Sequence, residues 1–256
     1  MFTRAIVRPP GRNFADGLTT VELGTPDYAT ALKQHDAYCR ALQSCHLELI
    51  VLPPNDEYPD STFVEDTAIL TPHGGIITNP GAVSRRGEIT SIEAELSRVF
   101  PEIKSICHPG TVDGGDICEV EDHFFIGVSA RTNESGAQQL ASILDTLGYT
   151  SQLVDIRGVQ GILHLKSGIA YLGENRLVVI EELADFDEFR GYELVRVKRG
   201  EEYAANCIVV NDSVLIAAGF PEFARQLQRL GLRTISIEMS EFQKMDGGLS
   251  CLSLRF

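Results

Sequence analysis

Ile117-Cys118-Glu119-Val120-Glu121-Asp122-His123-Phe124-Phe125-Ile126 reads as a hairpin, two short apolar runs around a polar turn. Turn residues such as Asp tolerate the positive φ that a tight reversal needs. Downstream, Leu140, Ile143, Leu144 and Leu147 recur at helical spacing, and Gly148 closes that stretch. Residues 152–156 then read as a further strand. The order is strand, turn, strand, helix, strand.

The same order recurs along the chain. Three more hairpins turn at Pro72-His73-Gly74, Gly173-Glu174-Asn175 and Asn211-Asp212-Ser213. Helical spacing follows at Ile92, Leu96 and Val99, with Thr90 and Glu93 placed for a capping box. It follows again at Phe223, Leu227 and Leu230, closed by Gly231, and over a short stretch at 183–189. Near the start, Thr25 reads as a cap with Pro26 in the first turn, and Tyr28, Leu32, His35, Cys39 and Leu42 line one face. Closing strands are expected at 47–52, 103–106, 194–197 and 234–237. That makes about five repeats, at a period of roughly 40–50 residues, the range of propellers and solenoids. The first repeat lacks an opening hairpin, and the tail, 245–256, could supply its missing strand. The spacing fits a ring closed by its own C-terminus, or an open α/β sheet. No linker-like stretch divides the chain, so a single domain, 1–256, is expected.

Composition narrows the function. Of 256 residues, 22 are Lys or Arg and 36 are Asp or Glu, a net charge of −14. Such a surface repels nucleic acid. No apolar run approaches the roughly 20 residues of a membrane span, and the N-terminus lacks a signal-peptide core, so a cytoplasmic protein is expected. The cysteines Cys39, Cys45, Cys107, Cys118, Cys207 and Cys251 contain no C-x-x-C pair and fit reduced thiols. There is no P-loop, no dinucleotide fingerprint and no H-E-x-x-H, so neither nucleotide nor metal is expected.

Three segments carry candidate chemistry: Asp60 with Phe63-Val64-Glu65-Asp66, Asp113-Gly114-Gly115-Asp116, and Asp246-Gly247-Gly248-Leu249-Ser250-Cys251. Each lies where a strand of the repeat begins or ends, positions that a ring gathers at its axis. Paired glycines let backbone approach a ligand. Thiol catalysis also needs a base. Of the six histidines, His35 falls on an apolar helix face, His73 and His123 in turns, His46 at a helix end and His108 in a loop. His164 alone opens a strand where other repeats carry Asp or Glu. Cys251 follows a glycine pair, while Cys207, after Asn206 at a strand start, is the alternative nucleophile.

These segments, with His164-Leu165-Lys166, resemble the dimethylarginine dimethylaminohydrolases, members of the guanidino-modifying superfamily. The likeness also covers Asp16-Gly17-Leu18-Thr19, Asn79-Pro80-Gly81-Ala82, Ser84-Arg85-Arg86-Gly87-Glu88, Ser129-Ala130-Arg131-Thr132-Asn133, Tyr203-Ala204-Ala205-Asn206-Cys207 and Leu252-Ser253-Leu254-Arg255-Phe256. The resemblance implies an α/β fold, a five-bladed propeller of ββαβ units, in agreement with the repeat count. It implies hydrolysis of Nω-methylated L-arginines to L-citrulline and a methylamine, with no cofactor. Cys251 would be nucleophile, His164 acid and base, and Asp113 the triad carboxylate. The Leu18 backbone, Asp60, Glu65, Asp66, Arg85, Arg131 and the backbone near Met245 would bind substrate. The implied partner is a small methylated arginine, with no nucleic acid and no membrane, and a homodimer is left open. Rival readings are a deiminase of free arginine or agmatine, and a catalytically dead guanidine-binding protein.

Overall fold

The computed structural model describes all residues 1–256. In chain order, β1 (Arg4–Val7) leads to helix α1 (Tyr28–Ser44) and β2 (Glu48–Val51). Strands β3 (Ala68–Thr71) and β4 (Gly74–Ile77) precede α2 (Ile89–Leu96) and β5 (Ile103–Ser105). Next come β6 (Ile117–Val120), β7 (His123–Val128), α3 (Glu134–Thr146) and β8 (Thr150–Asp155). Strands β9 (Ile169–Gly173), β10 (Arg176–Val179) and β11 (Glu193–Arg196) follow. The last are β12 (Ile208–Val210), β13 (Ser213–Ala217), α4 (Pro221–Arg229), β14 (Arg233–Ile237), α5 (Ser240–Gln243) and β15 (Leu254–Arg255).

The strands form five three-stranded sheets. In each, an antiparallel neighbour and a parallel neighbour flank one central strand, as in β6-β7-β8. Parallel neighbours need a long connection; it carries an α-helix in four of the sheets and two 3-10 turns between β10 and β11. The expected strand from the tail is present: β15 pairs antiparallel with β1, Ala5 opposite Arg255 and Ile6 opposite Leu254.

The chain divides into two compact units, Met1–Val64 with Val197–Phe256, and Glu65–Arg196. The first packs Phe14, Tyr38, Leu42, Phe63, Leu215, Phe242 and Leu252 into its core. There the Phe14 and Phe242 rings lie 5.5 Å apart and tilted, a geometry that adds about 0.5–1.5 kcal/mol per pair beyond burial. The second packs Ile76, Phe124, Ile126, Leu140, Leu144 and Tyr149. No helix is long and apolar enough to cross a membrane.

Turn chemistry explains the hairpins. Asn175 and Asn211 adopt positive φ, as do Glu174 and, in place of its neighbour Asp122, Glu121. Gly148 and Gly231 take φ of +88° and +76° after α3 and α4, as helix-ending glycines do.

Three local expectations are corrected. The first helix is capped by Asp27, whose carboxylate accepts the Thr30 N–H at 2.7 Å, and Thr25-Pro26 lies before it. Its buried face is Ala31, Gln34, His35, Tyr38, Ala41 and Leu42, with Leu32 and Cys39 at the margin. The Thr90–Glu93 capping box is absent, because a 3-10 stretch, Val83–Glu88, runs straight into α2 and leaves Thr90 inside the helix. The short helix at 183–189 is instead two 3-10 turns, Glu181–Leu183 and Asp187–Phe189. His35 is a core residue as expected, and burial pushes its imidazole down to about 4.

Candidate active site

Five short 3-10 turns recur, each just before the first strand of a repeat. They are Val64–Thr67, Gly114–Asp116, Leu165–Ser167, Glu202–Ala205 and Ser250–Leu252. The candidate residues sit in or beside these turns. A 3-10 turn closes i→i+3 hydrogen bonds over three or four residues, as in Asp116 N–H to the Asp113 carbonyl at 3.0 Å and Ser167 N–H to the His164 carbonyl at 3.0 Å. His164 therefore precedes a turn, rather than opening β9 directly as the sequence reading had it.

In the second unit, His164 Nε2 lies 3.1 Å from Asp113 Oδ2, and both side chains are buried. The other Asp113 oxygen accepts the Gly81 N–H at 2.8 Å, and the Asp113 N–H is taken by Thr132 Oγ1 at 3.1 Å. One oxygen and the backbone of Asp113 are thus fixed, and the other oxygen is presented to the imidazole. Gly115 leaves room beside the ring: a Cβ there would lie 2.7 Å from His164 Nδ1.

Asp66 Oδ1 accepts the Gly115 N–H at 2.9 Å, and Oδ2 accepts Arg85 Nη1 at 2.5 Å. Burial pushes the Asp66 carboxyl up, but His164, Arg85 and the Gly115 N–H outweigh it and bring it down to about 2. For His164 burial pushes the imidazole down. The charges of Asp66 and Asp116 and the bond to Asp113 reverse this and lift it to about 9. The ring is held as an imidazolium, a proton donor at neutral pH.

Asp66, Asp113 and His164 have donor atoms within 4.8 Å of one another, the donor types of a metal site. Here His164 Nε2 is already bonded to Asp113 Oδ2, and Asp66 to Arg85 and the Gly115 N–H. The arrangement is better suited to proton transfer.

Arg85 is buried and also donates Nε and Nη2 to Glu88, at 3.1 and 2.8 Å. It neutralises two carboxylates at once, so its first duty in the fold is to hold Asp66. Lys166 Nζ meets Glu65 Oε1 at 2.5 Å. Arg131 is half-buried, its N–H bonded to Ser129 Oγ.

In the first unit, Cys251 lies in the turn Ser250–Leu252 with only 9% of its surface exposed. The Gly248 N–H points at its Sγ, 3.4 Å away. Three predicted binding residues come together in this unit. The Asp60 carboxylate accepts the Leu18 N–H at 3.1 and 3.2 Å. A Cβ on Gly17 would meet both Asp60 and Met245, and Thr19 Oγ1 donates to the Lys244 carbonyl at 2.9 Å. Cys207 is buried between a 3-10 turn and β12.

Residues 26–191 match the family model described as N,N dimethylarginine dimethylhydrolase, eukaryotic. An N(G),N(G)-dimethylarginine dimethylaminohydrolase of Pseudomonas aeruginosa is 48% identical, with all of both chains covered. A Streptomyces coelicolor protein of the same name is 35% identical, over 98% of this chain and 96% of its own. A crystal structure of the Pseudomonas aeruginosa enzyme, a cysteine-to-serine mutant complexed with citrulline, superimposes with a TM-score of 0.97 at 47% identity, covering all of both chains.

The chain belongs to the dimethylarginine dimethylaminohydrolase family. It is a hydrolase acting on C–N bonds of a linear amidine. The full-length match also assigns the fold class expected from the repeats, the five-bladed α/β propeller of ββαβ units.

Some residues of this family member had no role in the sequence reading. Asp116 was read only as part of a D-G-G-D segment. It accepts the Ser129 hydroxyl at 2.6 Å and the Leu165 N–H at 3.0 Å, tying its turn to the one that carries His164. Burial, partly offset by His164, Ser129, Thr132 and Leu165, leaves its carboxyl raised to about 6. Glu88 was missed too, although the i,i+3 spacing Arg85-x-x-Glu88 was a readable signal. Asn206 was quoted without a role. Its amide accepts the Ser250 N–H at 2.9 Å and donates to Ser250 Oγ at 3.0 Å.

Proposed function

We propose that this chain hydrolyses Nω,Nω-dimethyl-L-arginine and Nω-monomethyl-L-arginine to L-citrulline, releasing dimethylamine or methylamine. Cys251, as thiolate, attacks the central guanidinium carbon. His164 passes its proton to the departing amine, which leaves a covalent thiouronium on the sulfur. The imidazole, now neutral, takes a proton from water as the water adds to the same carbon. Collapse releases citrulline and frees the thiol.

A guanidinium is planar, cationic and resonance-stabilised, hence a poor electrophile. Asp66 and Asp113 orient it by charge-assisted hydrogen bonds and keep it cationic during attack. Glu65 adds a further acidic partner. Asp60, the Leu18 backbone and the backbone near Met245 hold the α-amino end. Arg131 serves the α-carboxylate, a bidentate task for a guanidinium, while Arg85, bonded to Asp66 and Glu88, holds Asp66 in place for the substrate.

The observation that carries this reading is the buried His164 imidazole bonded to Asp113 at 3.1 Å, where Asp66, Asp116 and Asp113 favour its protonated form. Such an acid is present at neutral pH, where a leaving amine must be protonated. The names of the full-length relatives support the substrate class.

The test is separate incubation with dimethylarginine, monomethylarginine, free arginine and agmatine, scoring citrulline or carbamoylputrescine. Both methylated arginines should turn over, with quenched samples showing a thiouronium adduct on Cys251 by mass spectrometry. Faster turnover of free arginine or agmatine would overturn the assignment.

A further inference from the structure

Between β7 and α3 the chain turns back on itself, the Ser129 N–H donating to the Thr132 carbonyl at 2.9 Å. Arg131 stands inside this loop. The Ser129 hydroxyl oxygen accepts two backbone donors, the Arg131 N–H at 2.9 Å and the Thr132 N–H at 3.0 Å. A hydroxyl has two lone pairs and one hydrogen, so that hydrogen goes to Asp116 Oδ2, 2.6 Å away. The other Asp116 oxygen accepts the N–H of Leu165, the residue after His164, at 3.0 Å.

The loop has a second tie. Thr132 Oγ1 accepts the Asp113 N–H at 3.1 Å, and the same side chain hydrogen-bonds the Asp116 carboxylate. Ser129, Thr132 and Asp116 are all buried. Strand β7 closes on this junction because residue 127 is glycine: a Cβ there would lie 2.9 Å from the Leu165 Cβ and 3.0 Å from Asp116 Oδ1. One side chain of the Arg131 loop thus leads through Asp116 to the His164 turn, and another leads directly to Asp113.

We propose that Ser129, Asp116 and Thr132 are positioning residues that brace the Arg131 loop against the His164–Asp113 pair and so fix the length of amino-acid substrate the site accepts. This rests on the reading of Arg131 as the α-carboxylate ligand and of His164 as the acid. A substrate held by its carboxylate brings its guanidinium to His164 only if its methylene chain matches that spacing, and a misplacement of about 1 Å can cost about 10²-fold. Asp116 suits the junction as a carboxylate. The Leu165 N–H and the Ser129 hydroxyl both donate to it, and an amide would turn an NH₂ toward one of them.

The experiment compares kcat/KM for Nω,Nω-dimethyl-L-arginine with that for Nω,Nω-dimethyl-L-homoarginine, one methylene longer. Wild type should prefer the arginine chain by about tenfold or more, the discrimination one methylene usually brings. In Ser129→Ala and in Asp116→Asn that preference should shrink severalfold, with kcat for dimethylarginine falling. The double variant should shrink it no further, because the two act through one bond. Leu144→Ala, a core change in α3 outside this bonded network, should destabilise the chain and leave the preference as it was.

An unchanged preference in Ser129→Ala and Asp116→Asn overturns the proposal, and so does an equal shrinkage in Leu144→Ala. If Asp116→Asn fails to fold, Ser129→Ala against Ser129→Thr, which keeps the hydroxyl and should keep the wild-type preference, still decides it. An unchanged KM in Arg131→Ala would defeat the carboxylate assignment instead, and the preference in Ser129→Ala would still report whether this loop sets the chain length. No turnover of either compound by the wild type would defeat the substrate reading, a result distinct from an unchanged preference, and the proposal would fall with it.

Discussion

The turn that carries Cys251 and the turn that carries His164 are built alike in backbone and oppositely in charge. The turn of Cys251 is tied by neutral groups: the Asn206 amide bonds Ser250, the Tyr203 hydroxyl bonds Gly247, and the Gly248 N–H faces the sulfur. Around His164 stand Asp66, Asp113 and Asp116, with Arg85 and Glu88 behind Asp66. The difference teaches how one repeated scaffold supplies two chemistries. In the proposed reaction the Gly248 N–H, a neutral donor facing the sulfur, favours the thiolate. Buried carboxylates do the reverse and hold a ring protonated in a place where burial alone would strip it.

The largest effect that sharpens this contrast lies on the neutral side. Cys251→Ser should lower citrulline formation by about 10⁴-fold or more, as losses of covalent nucleophiles do. Cys207→Ser should retain most activity, and the opposite pattern would move the nucleophile to another turn. On the charged side, His164→Asn should lower kcat by about 10²–10⁴-fold, the usual worth of a general acid. A fall of less than tenfold would mean that the cationic ring does not serve the leaving amine.

Arg85→Met tests stability rather than chemistry. It strands Asp66 and Glu88 as buried charges, and removing one member of a buried ion pair costs about 3–5 kcal/mol. A chemical-denaturation curve should show that loss, and an unchanged midpoint would separate Arg85 from the integrity of the charged turn. The smallest effect is a shift along the pH axis. The imidazolium is present below about 9 and lost above it, so wild-type turnover should decline on an alkaline limb near that value. Asp116→Asn removes one of the charges that raise it, and the limb should move to lower pH by about one unit. The same sign applies to stability. A folded value above the ordinary 6.5 stabilises fully below 6.5, and that contribution fades as pH rises through 9.

The repeats were legible because hairpins announce themselves locally. Asn211-Asp212 and Glu121-Asp122 each separate apolar runs, and the strands fell within a residue or two of the expected bounds. The 3-10 turns were not legible. Three or four residues are too few to show a period, so His164 looked like the opening of a strand. The cap of α1 was misread for another reason. Thr25 and Asp27 are both good caps, and the choice is made from far away, where Glu241 takes the Asp27 N–H at 2.7 Å across 214 residues of sequence. Around 183–189 the chain makes two separate 3-10 turns, and Phe189 is placed by packing, its ring 5.1 Å from that of Phe125.

The candidate site divides along the same line. Cys251, His164 and Asp113 stood out through residue type and adjacent glycines. The supporting residues did not, because Asn206, Asp116 and Glu88 matter only through what they touch. An Asn beside a Cys has no distinctive pattern until Ser250, 44 residues later, is seen to meet it.

The pairing of β1 with β15 has a kinetic consequence. Ala5 finds Arg255 only after a loop spanning almost the entire polypeptide has closed, whereas β6 and β7 meet across a two-residue turn. Contacts of such long range form late, since their entropy of closure precedes any gain. During synthesis β1 emerges well before β15 and waits with one hydrogen-bonding edge open, the condition in which a nascent strand is most exposed to mispairing with its neighbours.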